Sequence, residues 1–308
     1  MRYKLRQQAF VVSSVVIFVL LIILMGATLL PKDIKRNNQI DYNNIPTFFF
    51  HGGGSNYHAE DQMVNAAQKD GVTSTVIIAF VSKTGKVRLS GNIPENAKNP
   101  IIKVNYADNR ELNYNKHGYY ATNVVKKITS IYHFKKMNMV GHSVGNISII
   151  YYMLQNEHKR NMPILKKSVN IAGHFARLKF NHIPKSIQEP ANLSLNKDGK
   201  PNKMNESFKQ MARIRTDYPA KQLSILNIIG DIGNKTDGTV SNNSSLSLKY
   251  IIGNRAKTYR VQKIIGKNAR HSILHENKKV NQILIDFLWY GRLQELTEHC
   301  KLLKNLSW

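Results

Sequence analysis

The chain has 308 residues, a single cysteine (Cys300) and a formal net charge of +26. One cysteine excludes an intrachain disulfide and a structural zinc site built from several cysteines. Hydrophobic residues make up 42% of the chain, enough for a sizeable core, which argues against a wholly disordered protein. Such a charge attracts polyanions, but the basic residues are scattered rather than clustered, which favours solubility as the explanation of the charge.

An uncharged apolar segment runs from Ala9 to Leu30, after the cations Arg2, Lys4 and Arg6. As a helix rising about 1.5 Å per residue, it spans roughly 33 Å, close to the hydrocarbon core of a bilayer. We predict that residues 1–31 form an N-terminal transmembrane signal anchor, with a cleaved signal peptide as the alternative. Basic residues on the two sides nearly balance, and the terminal amine favours a single-pass cell-membrane protein with its main domain outside. Cleavage of the segment would make the protein secreted.

Residues 32–45 are polar and predict a linker, and residues 46–308 form the main predicted domain. Apolar strands alternate there with helical patterns, which is typical of an α/β fold with a mostly parallel central sheet and helices on both faces. The turn signal Lys83-Thr84-Gly85 makes the second and third strands a hairpin. The predicted strands are Thr47–Phe50, Thr75–Val81, Lys86–Leu89, Ile101–Tyr106, Met137–Val140, Lys167–Ala172, Leu223–Ile229 and Tyr259–Ile265. The predicted helices cover residues 59–69, 118–132, 147–154 and 280–288.

Residues 174–220 are polar, irregular and rich in lysine, asparagine and proline. They are too long for a simple connection between a helix and a strand. We therefore predict a small cap insertion over this range.

Gly141-His142-Ser143-Val144-Gly145 stands between a predicted strand and a predicted helix. A nucleophile on such a strained turn is lifted clear of the backbone, and the flanking glycines let the neighbouring strand and helix approach. The pattern alone is weak, since it turns up by chance in about one chain in ten. Its position predicts Ser143 as a nucleophile, with the His142 side chain packed under the loop.

His51-Gly52-Gly53-Gly54 follows the first predicted strand. Acyl transfer needs backbone N–H donors aimed at the developing oxyanion, and glycines allow the close approach. We predict the oxyanion hole from the N–H groups of Gly53 and Val144, with Gly54 as the alternative donor and an ordinary turn as the simpler interpretation. His51 should shape the loop rather than titrate. The glycine spacing matches neither a P-loop nor a dinucleotide-binding motif.

The acid and the base of a catalytic triad should follow later strands. Asp231 and Asp237 both follow the seventh predicted strand, and we favour Asp237 because it lies deeper in the loop, while Asp231 could stabilise the loop as an Asx turn. His271 follows the last strand and is predicted as the general base, with His275 helping to fix the loop. The chain order Ser143, Asp237, His271 is that of α/β-hydrolases.

Metal-binding motifs such as H-E-x-x-H or an EF-hand loop do not occur in the sequence. We predict neither a metal site nor a cofactor.

Five segments carry a resemblance to a known family. They are His51–Asn56, the hairpin Thr75–Gly91, Gly141–Asn146, Thr236–Val240 and His271–Asn277. Together they resemble the bacterial α/β-hydrolases catalogued as domain of unknown function 915, often described as cell-surface hydrolases. The resemblance covers about residues 46–290, and its Asp-Gly-x-Val and His-Ser-x-Leu-His-Glu-Asn segments are the most specific. It implies the triad Ser143, Asp237 and His271 and an extracellular setting, but no particular substrate.

We therefore predict an α/β-hydrolase that cleaves small carboxylic esters through an acyl-enzyme, like an esterase or lipase, with a peptidase or amidase left open. His174 and Phe175 are predicted to shape the substrate pocket. The polarity of residues 174–220 argues against a lipid-facing lid. The alternative function is a weakly catalytic or non-catalytic surface protein that binds anionic polymers, with the fold as a scaffold. We predict a membrane partner through the N-terminal helix and no specific nucleic acid.

Overall fold

The protein is described here by a computed structural model that covers residues 40–290 except Arg177, residues 179–182 and Glu189. The predicted anchor, residues 1–31, lies outside the described residues, as does most of the predicted linker. Across the described part of the chain, no helix is long and apolar enough to cross a membrane. All described residues fall within a single unit that begins at Ile40.

The predicted strands form one sheet, with ends that differ from the predictions by a few residues. The strands are β1 (Thr47–Phe50), β2 (Val76–Val81), β3 (Val87–Ser90), β4 (Ile101–Tyr106), β5 (Lys136–His142), β6 (Ile164–Ile171), β7 (Leu223–Asp231) and β8 (Ala256–Ile265). Their order in the sheet is β3-β2-β4-β1-β5-β6-β7-β8. Only β2 and β3 pair antiparallel among these strands, as the predicted hairpin. The carboxyl ends of the seven parallel strands therefore share one edge of the sheet.

Helices cover both faces of the sheet. They are α1 (Asp61–Lys69), α2 (Tyr114–Tyr132), α3 (Gly145–Asn156), α4 (Glu206–Ala212), α5 (Ile214–Asp217), α6 (Asn242–Leu246), α7 (Leu248–Ile252) and α8 (Lys278–Ile285). Short 3-10 turns cover Tyr57–Glu60, Lys185–Ile187, Gly253–Arg255, Lys267–Ala269 and His271–Glu276, and a π-helical turn covers Asp286–Tyr290.

Strand β1 shows how the core is divided. Its side chains alternate, so Phe48 and Phe50 pack in the cluster that holds α2 and α3, while Phe49 packs in the opposite cluster with α1 and α8. All three rings are buried, and burial of each side chain contributes about 1.5–3 kcal/mol. The first strand is thereby held from both sides, and the glycine loop that follows it has a fixed starting point.

Helix α2 begins four residues before the predicted start at residue 118. The side chain of Asn113 accepts hydrogen bonds from the N–H groups of Asn115 (3.0 Å) and Lys116 (3.4 Å), which caps the helix. A Cβ at Gly118 would lie 2.7 Å from Cβ of Tyr151, so glycine is needed where α2 crosses α3. This close crossing packs α2 directly against the helix that follows Ser143.

The predicted cap, residues 174–220, contains only short described elements: the turn Lys185–Ile187, α4 and α5. Phe208, Met211 and Ile214 are fully buried in the same cluster as α3. These side chains anchor the segment to the main domain. Its function as a cap stays a prediction.

Candidate active site

Ser143 lies on a strained turn between β5 and α3. Its φ of 52° is in the left-handed region, which costs a residue with a side chain on the order of 1–3 kcal/mol. A Cβ at Gly145 would collide with the carbonyl oxygen of Phe50, and one at Gly141 would lie 2.7 Å from the nitrogen of Asn146. Both glycines are therefore needed for the helix to start directly behind the strand.

Asn146 holds this turn in place, a role that the sequence did not suggest. Its Nδ2 donates to the carbonyl oxygens of Ser143 (2.9 Å) and Ile171 (2.8 Å). The backbone N–H of Ser143 also donates to Ile171, at 3.0 Å. The strained turn is thus fastened to the end of β6 by a fully buried amide. The only signal in the sequence was the asparagine directly after the G-x-S-x-G pattern.

The structure brings the three predicted triad side chains together. Oγ of Ser143 lies 3.0 Å from Nε2 of His271, and Nδ1 of His271 lies 2.7 Å from Oδ2 of Asp237. The other carboxylate oxygen of Asp237 accepts from the N–H groups of Thr239 (2.8 Å) and Val240 (2.6 Å). Because a carboxylate only accepts, Nδ1 of His271 carries the proton and Nε2 is free to accept from the serine hydroxyl. This is the tautomer that a general base requires.

Asp231, the alternative acid, is engaged elsewhere. Its Oδ1 accepts from the N–H groups of Gly233 and Lys235, both at 3.0 Å, and its Oδ2 accepts from Nζ of Lys263 at 2.9 Å. The hydrogen bond from Lys263 is the largest cause that lowers the pKa of Asp231 to about 2. Asp231 therefore stabilises the loop as an Asx turn, and its described partners do not include His271.

Two further histidines support the base. Nε2 of His142 donates to the backbone carbonyl of His271 at 3.0 Å, and the ring of His275 stacks edge-on against His142, with 4.6 Å between centroids. Burial is the largest cause that lowers the pKa of His142 well below its usual value. His142 is thus a neutral donor beneath the loop, as predicted from the tight turn.

The glycine loop after β1 packs against the strained turn that carries Ser143, which we call the elbow. A Cβ at Gly52 would lie 3.0 Å from Nδ1 of His142 and 3.3 Å from Cβ of Ser143, and one at Gly53 would lie 3.7 Å from Cγ1 of Val144. The N–H of Gly54, the alternative donor, is already bonded to the carbonyl of Asn109 at 2.7 Å. Within the described residues, the N–H groups of Gly53 and Val144 donate to no backbone carbonyl outside the helices and strands. Both are free for the role predicted for them, which stays a prediction.

His51 shapes this loop. Its Nε2 accepts from the N–H of Tyr106 at 3.1 Å, so its Nδ1 carries the proton and donates to the carbonyl of Gly52 at 2.8 Å. Burial is the largest cause that lowers the pKa of His51 to about 4. The ring is neutral at neutral pH, in agreement with the prediction that it does not titrate in catalysis.

His174 and Phe175, the predicted pocket residues, are both buried at the end of β6. Nδ1 of His174 lies 3.3 Å from the hydroxyl of Tyr114, and burial lowers the pKa of His174 to about 3. Tyr114 also lines a hollow of about 430 Å³, whose other walls include Ile187 and Ser207. Neither predicted residue faces solvent, and contact of either with a substrate stays a prediction.

Within residues 40–290, apart from the six that are not described, no cluster of three histidine, cysteine, aspartate or glutamate side chains could hold a metal ion.

Comparisons with known proteins agree with this fold. A family model described as "Alpha/beta hydrolase of unknown function (DUF915)" matches residues 34–291. The solved structure of a gene product from Listeria innocua is 26% identical, with a TM-score of 0.70, and the match covers 80% of this chain and 94% of that one. A candidate cell surface hydrolase from Lactobacillus plantarum WCFS1 is 21% identical, with a TM-score of 0.61, covers 82% and 92% of the two chains, and shares the fold. No curated protein matches the sequence.

Proposed function

This chain belongs to the α/β-hydrolases of unknown function (DUF915), and we propose that it is a serine hydrolase that cleaves carboxylic esters. One observation carries the proposal: an unbroken hydrogen-bond chain from Oγ of Ser143 through the imidazole of His271 to the carboxylate of Asp237. Ser143 and His271 are partly exposed, so a substrate can reach both of them, while Asp237 is buried behind the base.

The proposed reaction passes through an acyl-enzyme. His271 takes the hydroxyl proton of Ser143 on Nε2 while Oγ attacks the ester carbonyl carbon, and Asp237 stabilises the resulting imidazolium. His271 then returns the proton to the leaving alkoxide, which departs as an alcohol. In the second half, water gives a proton to His271 and attacks the acyl carbon. His271 then passes that proton to Oγ of Ser143 as the acid is released, which restores the serine hydroxyl.

The N–H groups of Gly53 and Val144 would bind the negatively charged oxygen of each tetrahedral intermediate. Loss of one such donor typically lowers kcat by about 10²–10³. The support for this pair is the position of Gly53, where an added Cβ would lie 3.7 Å from Cγ1 of Val144, and the bond from the N–H of Gly54 to Asn109, which engages the alternative donor.

The first test is labelling of the full chain with a fluorophosphonate probe, read by intact mass. Wild type should gain one probe adduct, and Ser143→Ala should gain none. Ser130→Ala is the matched control, because Ser130 is exposed on α2, outside the proposed site, and should label like wild type. No adduct on folded wild type would refute the enzyme proposal. If Ser143 labels, the rates on a matched p-nitrophenyl ester and p-nitroanilide would separate an esterase from an amidase.

We also propose that residues 1–31 tether the catalytic domain to the outer face of the cell membrane, on the strength of the apolar segment Ala9–Leu30. Protease added to intact cells should then remove the domain, and the mass of the extracted chain should retain the segment. A domain protected until the cells are lysed would contradict the orientation, and a mature chain lacking the segment would favour secretion.

A further inference from the structure

Arg110 lies beside the proposed oxyanion hole. Its guanidinium carbon is 3.6 Å from the position that a Cβ on Gly54 would take. Gly54 directly follows Gly53, the proposed donor. Because Gly54 has no side chain, the guanidinium lies directly against the backbone of the residue that follows the proposed donor.

The neighbouring residue Asn109 fixes this placement. Its carbonyl accepts from the N–H of Gly54 at 2.7 Å, and its Nδ2 donates to the carbonyl of Ser55, also at 2.7 Å. Two hydrogen bonds therefore join the segment that carries Arg110 to the glycine loop. The backbone under the guanidinium is held in place, although the side chain itself is exposed.

Arg110 has no paired carboxylate among the described residues, although segment 108–116 as a whole is neutral, with two acids and two cations. Nζ of Lys116 forms ion pairs with both nearby carboxylates, Asp108 at 3.1 Å and Glu111 at 2.6 Å. Arg110 has no side-chain hydrogen bond or ion pair with the described residues, and residues 51–56 of the glycine loop contain no acid. An unpaired guanidinium at this position can bind an anion without first breaking an internal ion pair.

The other loops around the triad also carry exposed cations. Asp231 is paired with Lys263, and Asp237 with His271. Glu276 is the one carboxylate without a described partner in the described loops 107–113, 231–241 and 266–277. In the same loops, four exposed cations have no described side-chain partner: Arg110, Lys235, Lys267 and Arg270. These exposed cations outnumber the carboxylate that has no described partner, which favours a substrate of the opposite sign.

We propose that Arg110 is a specificity-determining residue that binds an anionic group of the ester substrate, a carboxylate or a phosphate. The inference rests on the proposed function, because it concerns the substrate of the same site. The planar guanidinium can bind either group through two parallel N–H···O bonds, a geometry that a lysine ammonium does not offer. The substrate class is therefore an ester that carries a negative charge close to its carbonyl.

The test compares matched anionic and neutral esters. One pair carries the charge on the acyl side, mono-p-nitrophenyl glutarate against p-nitrophenyl valerate. The other pair carries it on the alcohol side, 4-acetoxybenzoate against its methyl ester. The quantity measured is the ratio of kcat/KM for the anionic ester to that for the neutral ester. The pair that responds to substitution of Arg110 shows which side of the ester faces the guanidinium.

We expect Arg110→Gln to lower that ratio at least about tenfold for one pair, equivalent to about 1.4 kcal/mol. Arg110→Lys should lower the ratio less, because lysine keeps the positive charge and loses only the paired N–H donors of the guanidinium. Raising the salt from about 0.05 M to about 0.5 M should lower the wild-type ratio and change that of Arg110→Gln less. Arg160→Gln is the matched control, since Arg160 is exposed near the amino end of β6 and its substitution changes the net charge equally.

A ratio that Arg110→Gln leaves unchanged for both pairs, while Ser143 still labels with the fluorophosphonate, would overturn this inference alone. So would an equal fall with Arg160→Gln, which would assign the effect to net charge. Absence of labelling at Ser143 would overturn the proposed function, and this inference with it.

Discussion

Asp237 and His271 are joined twice. Their side chains meet at 2.7 Å, and the backbone N–H of His271 donates to the backbone carbonyl of Asp237 at 2.9 Å. The backbone bond brings the loop after β7 to the loop after β8 regardless of what the side chains do. The carboxylate therefore serves to orient the imidazole of His271 and to stabilise its positive charge, rather than to hold the two loops together.

Asp237→Asn should consequently spare the fold and remove most of the activity. The backbone bond remains, but an amide no longer stabilises the imidazolium, and in serine proteases the equivalent change lowers kcat by about 10⁴. We expect a loss of about 10³–10⁴ in kcat on a p-nitrophenyl ester, with the thermal midpoint close to that of wild type.

Asp231→Asn is the control for that substitution. Asn at this position keeps an oxygen for the N–H groups of Gly233 and Lys235 and loses the charge that pairs with Lys263, so kcat should stay within about tenfold of wild type. A larger loss of kcat in Asp231→Asn than in Asp237→Asn would assign the acid to Asp231.

Adjacent glycines in the loop after β1 should respond differently to one added methyl group. A Cβ at Gly52 would lie 3.0 Å from Nδ1 of His142 and 3.3 Å from Cβ of Ser143, whereas one at Gly53 would meet nothing closer than 3.7 Å. Gly52→Ala should therefore push on the turn that carries Ser143 and lower kcat by more than about tenfold, since a shift of a few tenths of an ångström there is a fraction of the ~1 Å that costs about 10². Gly53→Ala should stay within about tenfold of wild type. Similar kcat values in the two variants would show that the loop yields to the methyl group.

Much of the fold could be predicted because each buried strand of a parallel sheet is a nearly continuous apolar run. β4, for example, was predicted with its observed ends, Ile101 and Tyr106. Ends set by polar contacts were harder. Helix α2 starts at Tyr114 because the side chain of Asn113 caps it, and that cap lies outside the apolar periodicity from which the helix was predicted.

Parts of the candidate site could be predicted where a local sequence pattern points to one structural role. Glycines on either side of Ser143 and a histidine after the last strand are such signals. The choice between Asp231 and Asp237 depended on which carboxylate reaches His271 across two loops. The choice between Gly53 and Gly54 depended on a hydrogen bond that the N–H of Gly54 donates to the carbonyl of Asn109. Both are contacts between segments far apart in sequence, which spacing does not encode.

Asn146 offers a test of how the elbow is held. Removing its amide loses two hydrogen bonds of the turn, to Ser143 and Ile171, although both carbonyls keep a backbone partner. Asn146→Ala should lower the free energy of unfolding by about 1–3 kcal/mol. It should also lower kcat about tenfold or more, because the strained Ser143 loses its support.

Asn156→Ala is the matched control at the other end of α3. Nδ2 of Asn156 likewise makes two bonds, to Thr122 and Tyr152, but far from the elbow. It should lower stability by a similar amount and leave kcat within about twofold. Equal losses of kcat in the two variants would mean that destabilisation alone explains the effect of Asn146→Ala.

Glu60 should make the stability of the protein fall as the pH rises. Its carboxyl group is buried beside α1, and neither oxygen has a hydrogen-bond partner among the described residues. Burial is the largest cause that raises the pKa of Glu60 well above its usual value, and the nearby Lys103 offsets only part of it. The folded state therefore keeps a proton that the unfolded chain releases above about pH 4.5.

The direction of this pH dependence of stability follows from proton linkage. Between the unfolded and the folded pKa of Glu60, the folded state binds more protons, so its stability decreases with pH by up to about 1.4 kcal/mol per pH unit. Glu60→Gln stays neutral throughout and should become increasingly more stable than wild type as the pH rises above about 5, until the carboxyl group of folded Glu60 itself ionises. Urea unfolding of both proteins across that range measures the difference, in which titrations common to both cancel. Glu95→Gln, at an exposed carboxylate, should show no such trend. A difference between Glu60→Gln and wild type that does not change with pH would mean that Glu60 is ionised in the folded protein, held by the charge of Lys103.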